Sequence, residues 1–267
     1  MITDFHAHAF PDALAARAIR TLEAETDKVK ARLDGRVASL LVSMDRAGID
    51  RCVLCSIATK PEQFDGIMRW SQSIASARLI PVPSIHPRDP QALRRIAQVA
   101  REGFKGIKLH PYYQNFDMDE AVMLPIYRRL CDLNLMCVCH TGFDIAFPRI
   151  RHGDPRRIAA IMRQFPELRL ITTHLGAWED WEEVRRHMLG KPIYMETSYT
   201  LNVLPRDEAR SIILAHPPAY LLFGTDSPWL DQAECLAELK ALKLGEELET
   251  SMLMRNAEAL LTQSGSR

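Results

Sequence analysis

The chain has 267 residues, of which 47% are hydrophobic and 25% are charged, values typical of a globular protein with a large core. Basic and acidic residues number 34 each, so the net charge of zero argues against nucleic acid or an anionic membrane surface as a partner. The sequence has no basic leader followed by an apolar segment and no apolar run near the about 18 residues of a membrane span. We therefore expect a cytoplasmic protein.

The six cysteines do not form a disulfide pattern, because most of them lie inside apolar segments that read as strands. Cys52 and Cys55 have the spacing of a redox pair. Residues three apart in a strand face opposite sides, so we interpret both as reduced core thiols.

The predicted elements alternate between strand and helix along the whole chain. The first strand begins at Thr3 and is followed by a polar segment, residues 12–36, which we predict to be a largely helical insertion. Further strands are predicted at 51–58, 79–85, 104–109, 135–140, 168–174, 192–197 and 220–224. Helices are predicted at 39–47, 64–77, 92–101, 119–133, 155–165, 178–188, 206–215 and, after a helical stretch from 230, at 246–261.

Eight strand–helix units favour an α/β fold of the closed (β/α)8 TIM-barrel type. A doubly wound open sheet would show the same alternation, but no Gly-x-Gly-x-x-Gly turn follows an early strand. No linker or repeat above this unit is visible, so we predict one domain over residues 1–267.

The first strand carries the clearest chemical signal. Asp4, His6 and His8 alternate, so the two imidazoles project from the same face of the strand. Neutral imidazole is the commonest protein ligand for first-row metals, which predicts a metal-chelating pair. An isolated pair of this spacing also arises by chance among nine histidines, so its weight depends on what the other strands carry.

Polar side chains gather at the predicted carboxyl ends of other strands, where a closed barrel places its active site. Six of the nine histidines lie there, together with a lysine and an aspartate: His6, His8, His86, His110, His140, His174, Lys108 and Asp226. In strand five, His140 shares a face with Val138 and Met136, whereas Cys137 and Cys139 face the helices.

These residues sit in motifs that resemble the amidohydrolase superfamily, in particular the branch that includes aminocarboxymuconate-semialdehyde decarboxylase and the hydroxybenzoate decarboxylases. The motifs run in order from Thr3 to about Leu261: Asp4-x-His6-x-His8-x-Phe10-Pro11, Gly106-Ile107-Lys108-Leu109-His110-Pro111, His140-Thr141-Gly142, His174-Leu175-Gly176, Phe223-Gly224-Thr225-Asp226-Ser227-Pro228-Trp229 and Asn256-Ala257.

The resemblance implies a metal site and its catalytic groups. His6, His8, His140 and Asp226 would be metal ligands, and His174 would act as an acid or base, or as a ligand in two-metal members. One Zn²⁺ ion fits such nitrogen and carboxylate ligands, although Mn²⁺, Co²⁺ or Fe²⁺ would also suit them. A divalent ion lowers the pKa of its water from about 15.7 to about 7, and Asp226 could then accept the proton of that water.

Lys108 has several possible roles. If carboxylated, it would bridge two metals together with His140 and His174. As an ammonium group it would hold a substrate carboxylate or pair with Asp226.

Substrate contacts are expected from loops that follow the strands. His86 and His110 are candidates for binding substrate, Tyr112 and Trp178 offer stacking surface, and Arg149 could clamp a carboxylate. Each of these residues could instead be an ordinary part of the barrel rim.

These expectations define a metal-dependent hydrolase of a small-molecule amide, ester or lactone. The alternative is a non-oxidative decarboxylase of an aromatic or dienoic carboxylic acid, favoured by a buried arginine near the metal. A third possibility is a catalytically silent metal-binding scaffold. We expect a small-molecule substrate as the partner, and a homodimer is possible.

Overall fold

The computed structural model describes residues 1–262 and contains eight strands and eleven α-helices within that range. The strands are β1 (Thr3–Ala7), β2 (Arg51–Cys55), β3 (Leu79–Val82), β4 (Gly106–Leu109), β5 (Met136–Cys139), β6 (Leu170–Thr172), β7 (Tyr194–Glu196) and β8 (Leu221–Leu222). The helices are α1 (Asp12–Ala24), α2 (Val37–Ala47), α3 (Phe64–Ile74), α4 (Ala92–Arg101), α5 (Met123–Asp132), α6 (Pro155–Gln164), α7 (Trp181–His187), α8 (Arg206–Ala215), α9 (Gln232–Ala241), α10 (Glu246–Thr250) and α11 (Asn256–Thr262).

The strands pair in sequence order and in parallel, as β1-β2-β3 and as β4-β5-β6-β7-β8. Backbone hydrogen bonds close both gaps between these groups. The amide of Phe5 donates to the carbonyl of Phe223 at 2.8 Å, and the amide of Lys108 donates to the carbonyl of Pro83 at 2.8 Å. The eight strands therefore form a closed barrel, which confirms the predicted (β/α)8 fold.

Strand residues divide into two buried layers because successive side chains point to opposite faces. The interior cluster includes Phe5, Val53, Met136, Val138 and Ile171. The layer between strands and helices includes Cys52, Leu54, Cys137 and Cys139, whereas Cys55 belongs to the interior. The predicted strand parity is thus confirmed, and all six thiols are free.

The amino-terminal end of the barrel is filled by the last described helix. Ala257, Leu260 and Leu261 of α11 join the interior cluster beside Phe5 and Leu222. This apolar contact leaves the opposite end, where the strands terminate, for polar chemistry.

Several predicted boundaries were too wide. The segment 12–36 is helical only to Ala24, and α5 starts at Met123 rather than at residue 119. Helix α7 starts at Trp181 rather than at Trp178, because Trp178 is engaged in backbone pairing: its amide donates to Thr141, and its carbonyl accepts from Phe143. The strands also end earlier than predicted, with Pro83, which lacks an amide proton, directly after β3.

None of the helices in residues 1–262 has the length and apolar character needed to cross a membrane.

Candidate metal centre and substrate cavity

The two histidines of the first motif are held in fixed tautomers by their neighbours. Nδ1 of His6 donates to Oε1 of Glu196 at 2.9 Å, and Nδ1 of His8 donates to the carbonyl of Cys55 at 2.9 Å. The proton is therefore on Nδ1 in both rings, which leaves each Nε2 atom with a free lone pair. Such outer hydrogen bonds are the usual way in which proteins orient metal-binding imidazoles.

The free nitrogen atoms converge with one carboxylate oxygen. Nε2 of His6 and Nε2 of His8 are 3.1 Å apart, and Oδ1 of Asp226 lies 3.2 Å from the His8 atom and 3.6 Å from the His6 atom. Tetrahedral zinc with bonds of about 2.05 Å would separate its ligands by about 3.3 Å. Two neutral acceptor nitrogens facing each other repel unless a cation lies between them, so this donor set fits a divalent metal.

Asp226 is held in place by the backbone of the first strand. Its amide donates to the carbonyl of His6 at 2.8 Å, and its φ of 65° lies in the left-handed region. Aspartate tolerates this region better than most residues. Burial opposes ionisation of the carboxyl group, but His6 and His8 outweigh it and hold the pKa of Asp226 below its usual value.

Glu196, at the end of β7, has no role in the sequence-based prediction. Its carboxylate is fully buried and accepts hydrogen bonds from Nδ1 of His6, from the amide of Ser198 at 2.5 Å and from Oγ of Ser198 at 2.7 Å. Gly224 makes room for it, because a Cβ at that position would collide with Oε2 of Glu196. An acidic residue on the inward face of an apolar strand was the available signal, since buried carboxylates are rare unless paired.

His140 and His174 form a second pair beside this group. Nδ1 of His174 donates to the carbonyl of Ser198 at 3.0 Å, and Nε2 of His140 donates to the carbonyl of Phe143 at 2.9 Å. The remaining atoms, Nε2 of His174 and Nδ1 of His140, face each other at 3.1 Å. Both are lone-pair sites in these tautomers, an arrangement that suits a shared proton or a cation.

Burial keeps these rings neutral near pH 7. Desolvation, together with the charge of His140, lowers the pKa of His174 to about 4, and desolvation also lowers the pKa of His140. Burial and the charge of Lys108 hold the pKa of His6 well below its ordinary range. Neutral imidazoles are the form that binds metals and accepts protons.

His140 also belongs to a cluster with His110 and Asp144, which was not predicted. Oδ2 of Asp144 lies 3.4 Å from Nε2 of His110 and 3.6 Å from Nε2 of His140. The two imidazole rings stack at 4.1 Å, so their nitrogens point side by side rather than at one shared point. Among residues 1–262, His140 groups with these two residues, and His6 and His8 group with Asp226.

Lys108 is buried at the end of β4. Its Nζ donates to Nε2 of His6 at 3.1 Å, so its direct partner is a candidate metal ligand. Whether Lys108 carries a carboxyl group and whether one ion or two are bound remain predictions.

A cavity of about 650 Å³ opens above these groups. Its floor includes every predicted ligand and catalytic residue: His6, His8, Lys108, His140, His174 and Asp226. Of the predicted substrate contacts, His110 and Trp178 line the cavity, as does Tyr113 of the loop that was expected to offer stacking surface.

The other three predicted substrate residues do not line the cavity and have contacts of their own. Tyr112 donates from its hydroxyl to the carbonyl of Ile150 at 2.5 Å, and Arg149 lies 3.9 Å above the ring of Phe143. Nδ1 of His86 accepts from the amide of Arg88 at 3.2 Å. These contacts support structural roles in the rim.

The buried histidines predict how stability depends on pH. Burial lowers the pKa of His174 to about 4 and that of His216, which lies just after α8, also to about 4, against 6.5 for a free imidazole. As the pH falls, the imidazoles of the unfolded chain take up protons before the buried imidazoles of the folded chain do. The contribution of these neutral imidazoles to the free energy of unfolding is therefore complete above pH 6.5 and is lost as the pH falls towards 4. Burial raises the pKa of Asp4 to about 6 and also raises that of Glu196, which acts in the opposite sense, but five buried histidines have lowered pKa values.

We expect the chelator-treated protein to melt at least roughly 5 °C lower at pH 5 than at pH 7. Thermal unfolding followed by circular dichroism at both values measures this shift. An unchanged or higher melting temperature at pH 5 would contradict the neutral state assigned to the buried imidazoles.

A closed parallel barrel with candidate ligands at the carboxyl ends of its strands defines the class of (β/α)8-barrel enzymes. The Amidohydrolase family profile matches residues 3–262, and the chain belongs to that family. The resemblance predicted from the sequence is thereby confirmed. Comparison with curated protein sequences gave no match.

Solved structures support the same fold at low sequence identity. An uncharacterized TIM-barrel protein from Bordetella bronchiseptica superposes with a TM-score of 0.79 at 19% identity, covering 99% of both chains. A 5-carboxyvanillate decarboxylase from Novosphingobium aromaticivorans, complexed with manganese and 4-hydroxy-3-methoxy-5-nitrobenzoic acid, has a TM-score of 0.70 at 17% identity and covers 98% of this chain and 96% of its own.

A probable 2-pyrone-4,6-dicarboxylic acid hydrolase from Acinetobacter baumannii, with citric acid bound, has a TM-score of 0.65 at 14% identity and covers 97% of this chain and 98% of its own. Structures named for hydrolysis and for decarboxylation thus share the fold of this chain. In the described part of this chain, His6, His8 and Asp226 form a group that could hold a metal ion.

Proposed function

We propose that the protein is a metal-dependent hydrolase of a small-molecule amide, ester or lactone. The observation that carries this proposal is the convergence of Nε2 of His6, Nε2 of His8 and Oδ1 of Asp226 within 3.1–3.6 Å at the floor of an open cavity. A catalytically silent scaffold would have no need for a cavity that reaches its ligand atoms.

Zinc is the metal we propose, with manganese, cobalt or iron as alternatives. The candidate ligands are His6, His8, Asp226 and, from the neighbouring pair, His140. Nitrogen and carboxylate donors favour zinc, but carboxylates also suit manganese, which the decarboxylase of the same fold contains. A divalent ion held there would supply Lewis acidity and would lower the pKa of an adjacent water.

Proton transfer and charge stabilisation would be carried out by side chains of the protein. Asp226, ionised because its pKa is lowered, accepts the proton of the attacking water. Nε2 of His174, a lone-pair site in the neutral ring, would first receive the proton that Asp226 takes from the water and would then pass it to the leaving group. Lys108, whose Nζ lies 3.1 Å from Nε2 of His6, would lose that hydrogen bond once an ion takes the lone pair and would then supply a positive charge beside the reacting carbonyl.

Decarboxylation is the second candidate, and Lys108 is the observation that favours it, because its ammonium group could hold a substrate carboxylate. Hydrolysis remains first because no arginine lines the cavity in the described part of the chain. Carboxylate recognition commonly uses the two parallel hydrogen bonds of a guanidinium.

The proposal predicts reversible metal dependence. We expect chelation to abolish activity on a panel of esters, lactones and amides, and added zinc, manganese or cobalt to restore it. Product release and CO₂ evolution from aromatic acids are measured on the same preparations. Full activity after metal content has fallen to background would contradict the proposal, and CO₂ evolution without hydrolysis would replace it with decarboxylation.

The one-domain organisation over residues 1–267, the cytoplasmic location and a homodimeric state remain proposals. Size-exclusion chromatography with light scattering would measure the last of these.

A further inference from the structure

The walls of the cavity differ from its floor in polarity. The charged residues of the described lining lie at or just beyond the ends of strands, and they are Lys108, Asp144 and Asp226. Away from them the cavity runs between α1 of the insertion and α3. There it meets Leu14 and Leu22 on one side and Ile67 and Trp70 on the other. The upper part of the cavity is therefore mostly apolar and uncharged, with Thr26, Thr59 and Gln63 as its neutral polar side chains.

This apolar wall is accessible rather than packed shut. Leu14 is 52% exposed although it lines the cavity, and Leu22, Ile67 and Trp70 are only half-buried. Apolar side chains that converge on a cavity without filling it leave surface that a bound apolar group would cover.

The size of the cavity exceeds that of a minimal substrate. At about 30 Å³ for a water-sized group, a volume of about 650 Å³ holds roughly twenty non-hydrogen atoms. A scissile carbonyl with its immediate substituents would occupy only the floor, so most of the volume faces the apolar wall.

A second charge on the substrate would be poorly placed. Among the described residues that line the cavity, Lys108 is the single lysine or arginine, and its Nζ lies 3.1 Å from Nε2 of His6 at the floor. A carboxylate carried beyond the floor would lose part of its hydration against Leu14, Leu22 and Trp70 without gaining a cationic partner.

We infer that the substrate is a neutral ester or amide that carries one elongated apolar group, with its scissile carbonyl at the floor and the apolar group between α1 and α3. This inference rests on the proposed hydrolase function and narrows its substrate class. It differs from the carboxylated ligands named for the compared structures.

The inference can be tested by binding rather than by turnover. Straight-chain alkyl hydroxamic acids, from acetohydroxamic acid to the twelve-carbon compound, present a metal-binding head and an apolar tail of variable length. Their dissociation constants for the zinc-loaded protein are measured by titration calorimetry. We expect up to about fourfold tighter binding per added methylene until the cavity is filled, and then a plateau.

Two controls locate the effect. A chain of equal length ending in a carboxylate should bind at least about tenfold more weakly than its methyl-ended counterpart. Leu14→Ala should weaken the long probes about fivefold and leave acetohydroxamic acid unchanged. The matched variant Leu214→Ala removes a leucine of α8 that is 48% exposed and does not line the cavity, and it should change neither.

The outcomes separate the two proposals. Acetohydroxamic acid binding that disappears on chelation, without any gain from longer chains, would overturn the substrate class and leave the metal site intact. Failure of every hydroxamate to bind zinc-loaded protein would overturn both. Tighter binding of the carboxylate-ended chain would also overturn the inference and would favour an anionic substrate.

Discussion

Replacing His6 by alanine is expected to remove hydrolysis to background and to release the bound metal. His6 supplies one of three converging donor atoms, and its ring also contacts Lys108 and Glu196. Its loss leaves the fully buried Glu196 carboxylate without its imidazole partner, so the metal-free variant should also melt at a lower temperature. Activity, metal content by atomic absorption and thermal unfolding measure the three effects.

The control for this variant is His187→Ala. His187 lies at the end of α7, partly exposed, with Glu183 at 3.3 Å from its Nε2 atom and no contact with the cavity. We expect its activity and metal content to match those of the unchanged protein. If His6→Ala kept both its metal and its rate, the proposed centre would be wrong.

Replacing Glu196 by glutamine is expected to weaken metal binding by about 10–100-fold while leaving the ligands themselves in place. The amide oxygen can still accept from His6, but the negative charge that raises the basicity of the imidazole is lost. The amide nitrogen would also face the backbone amide of Ser198, which now donates to Oε2 at 2.5 Å. Competition with a chelator of known affinity measures the change.

Glu183→Gln provides the matched control. Glu183 is also a buried glutamate, but its partners are Arg156 and Arg186 on the outside of the barrel. A loss of metal affinity of equal size in both variants would show a general effect on stability and would remove the specific role of Glu196.

Local sequence patterns predicted most of the barrel. Apolar runs marked the strands, and parity within β5 placed Val138 in the interior and Cys139 against the helices, as the two clusters confirm. Helix limits were predicted well where a local signal exists: α4 spans Ala92–Arg101 and α8 spans Arg206–Ala215, as expected. The start of α7 was predicted wrongly at Trp178. The backbone of Trp178 pairs with Thr141 and Phe143, and such a contact between distant segments leaves no local sequence signal.

The candidate site was predictable as a set of residue types but not as a network. His6 and His8 could be paired from their spacing alone, whereas the approach of Asp226 depends on the closure of the barrel between β1 and β8. Glu196 escaped prediction because a single acidic residue in a strand does not reveal its partner. The contact of His140 with His110 and Asp144 likewise depends on the conformations of the loops that follow β4 and β5.

The contact between β1 and β8 also determines when the site can form during synthesis of the chain. Oδ2 of Asp4 accepts from the hydroxyl of Thr225 at 2.6 Å and from the side chain of Gln232 at 2.8 Å. Residues more than two hundred positions apart therefore share one buried hydrogen-bond network. During synthesis the amino-terminal histidines must wait for these late residues to emerge. Metal capture would therefore require that Asp226 and Gln232 have left the ribosome, and stalled chains that end before β8, which lack Asp226, should hold the ion weakly or not at all.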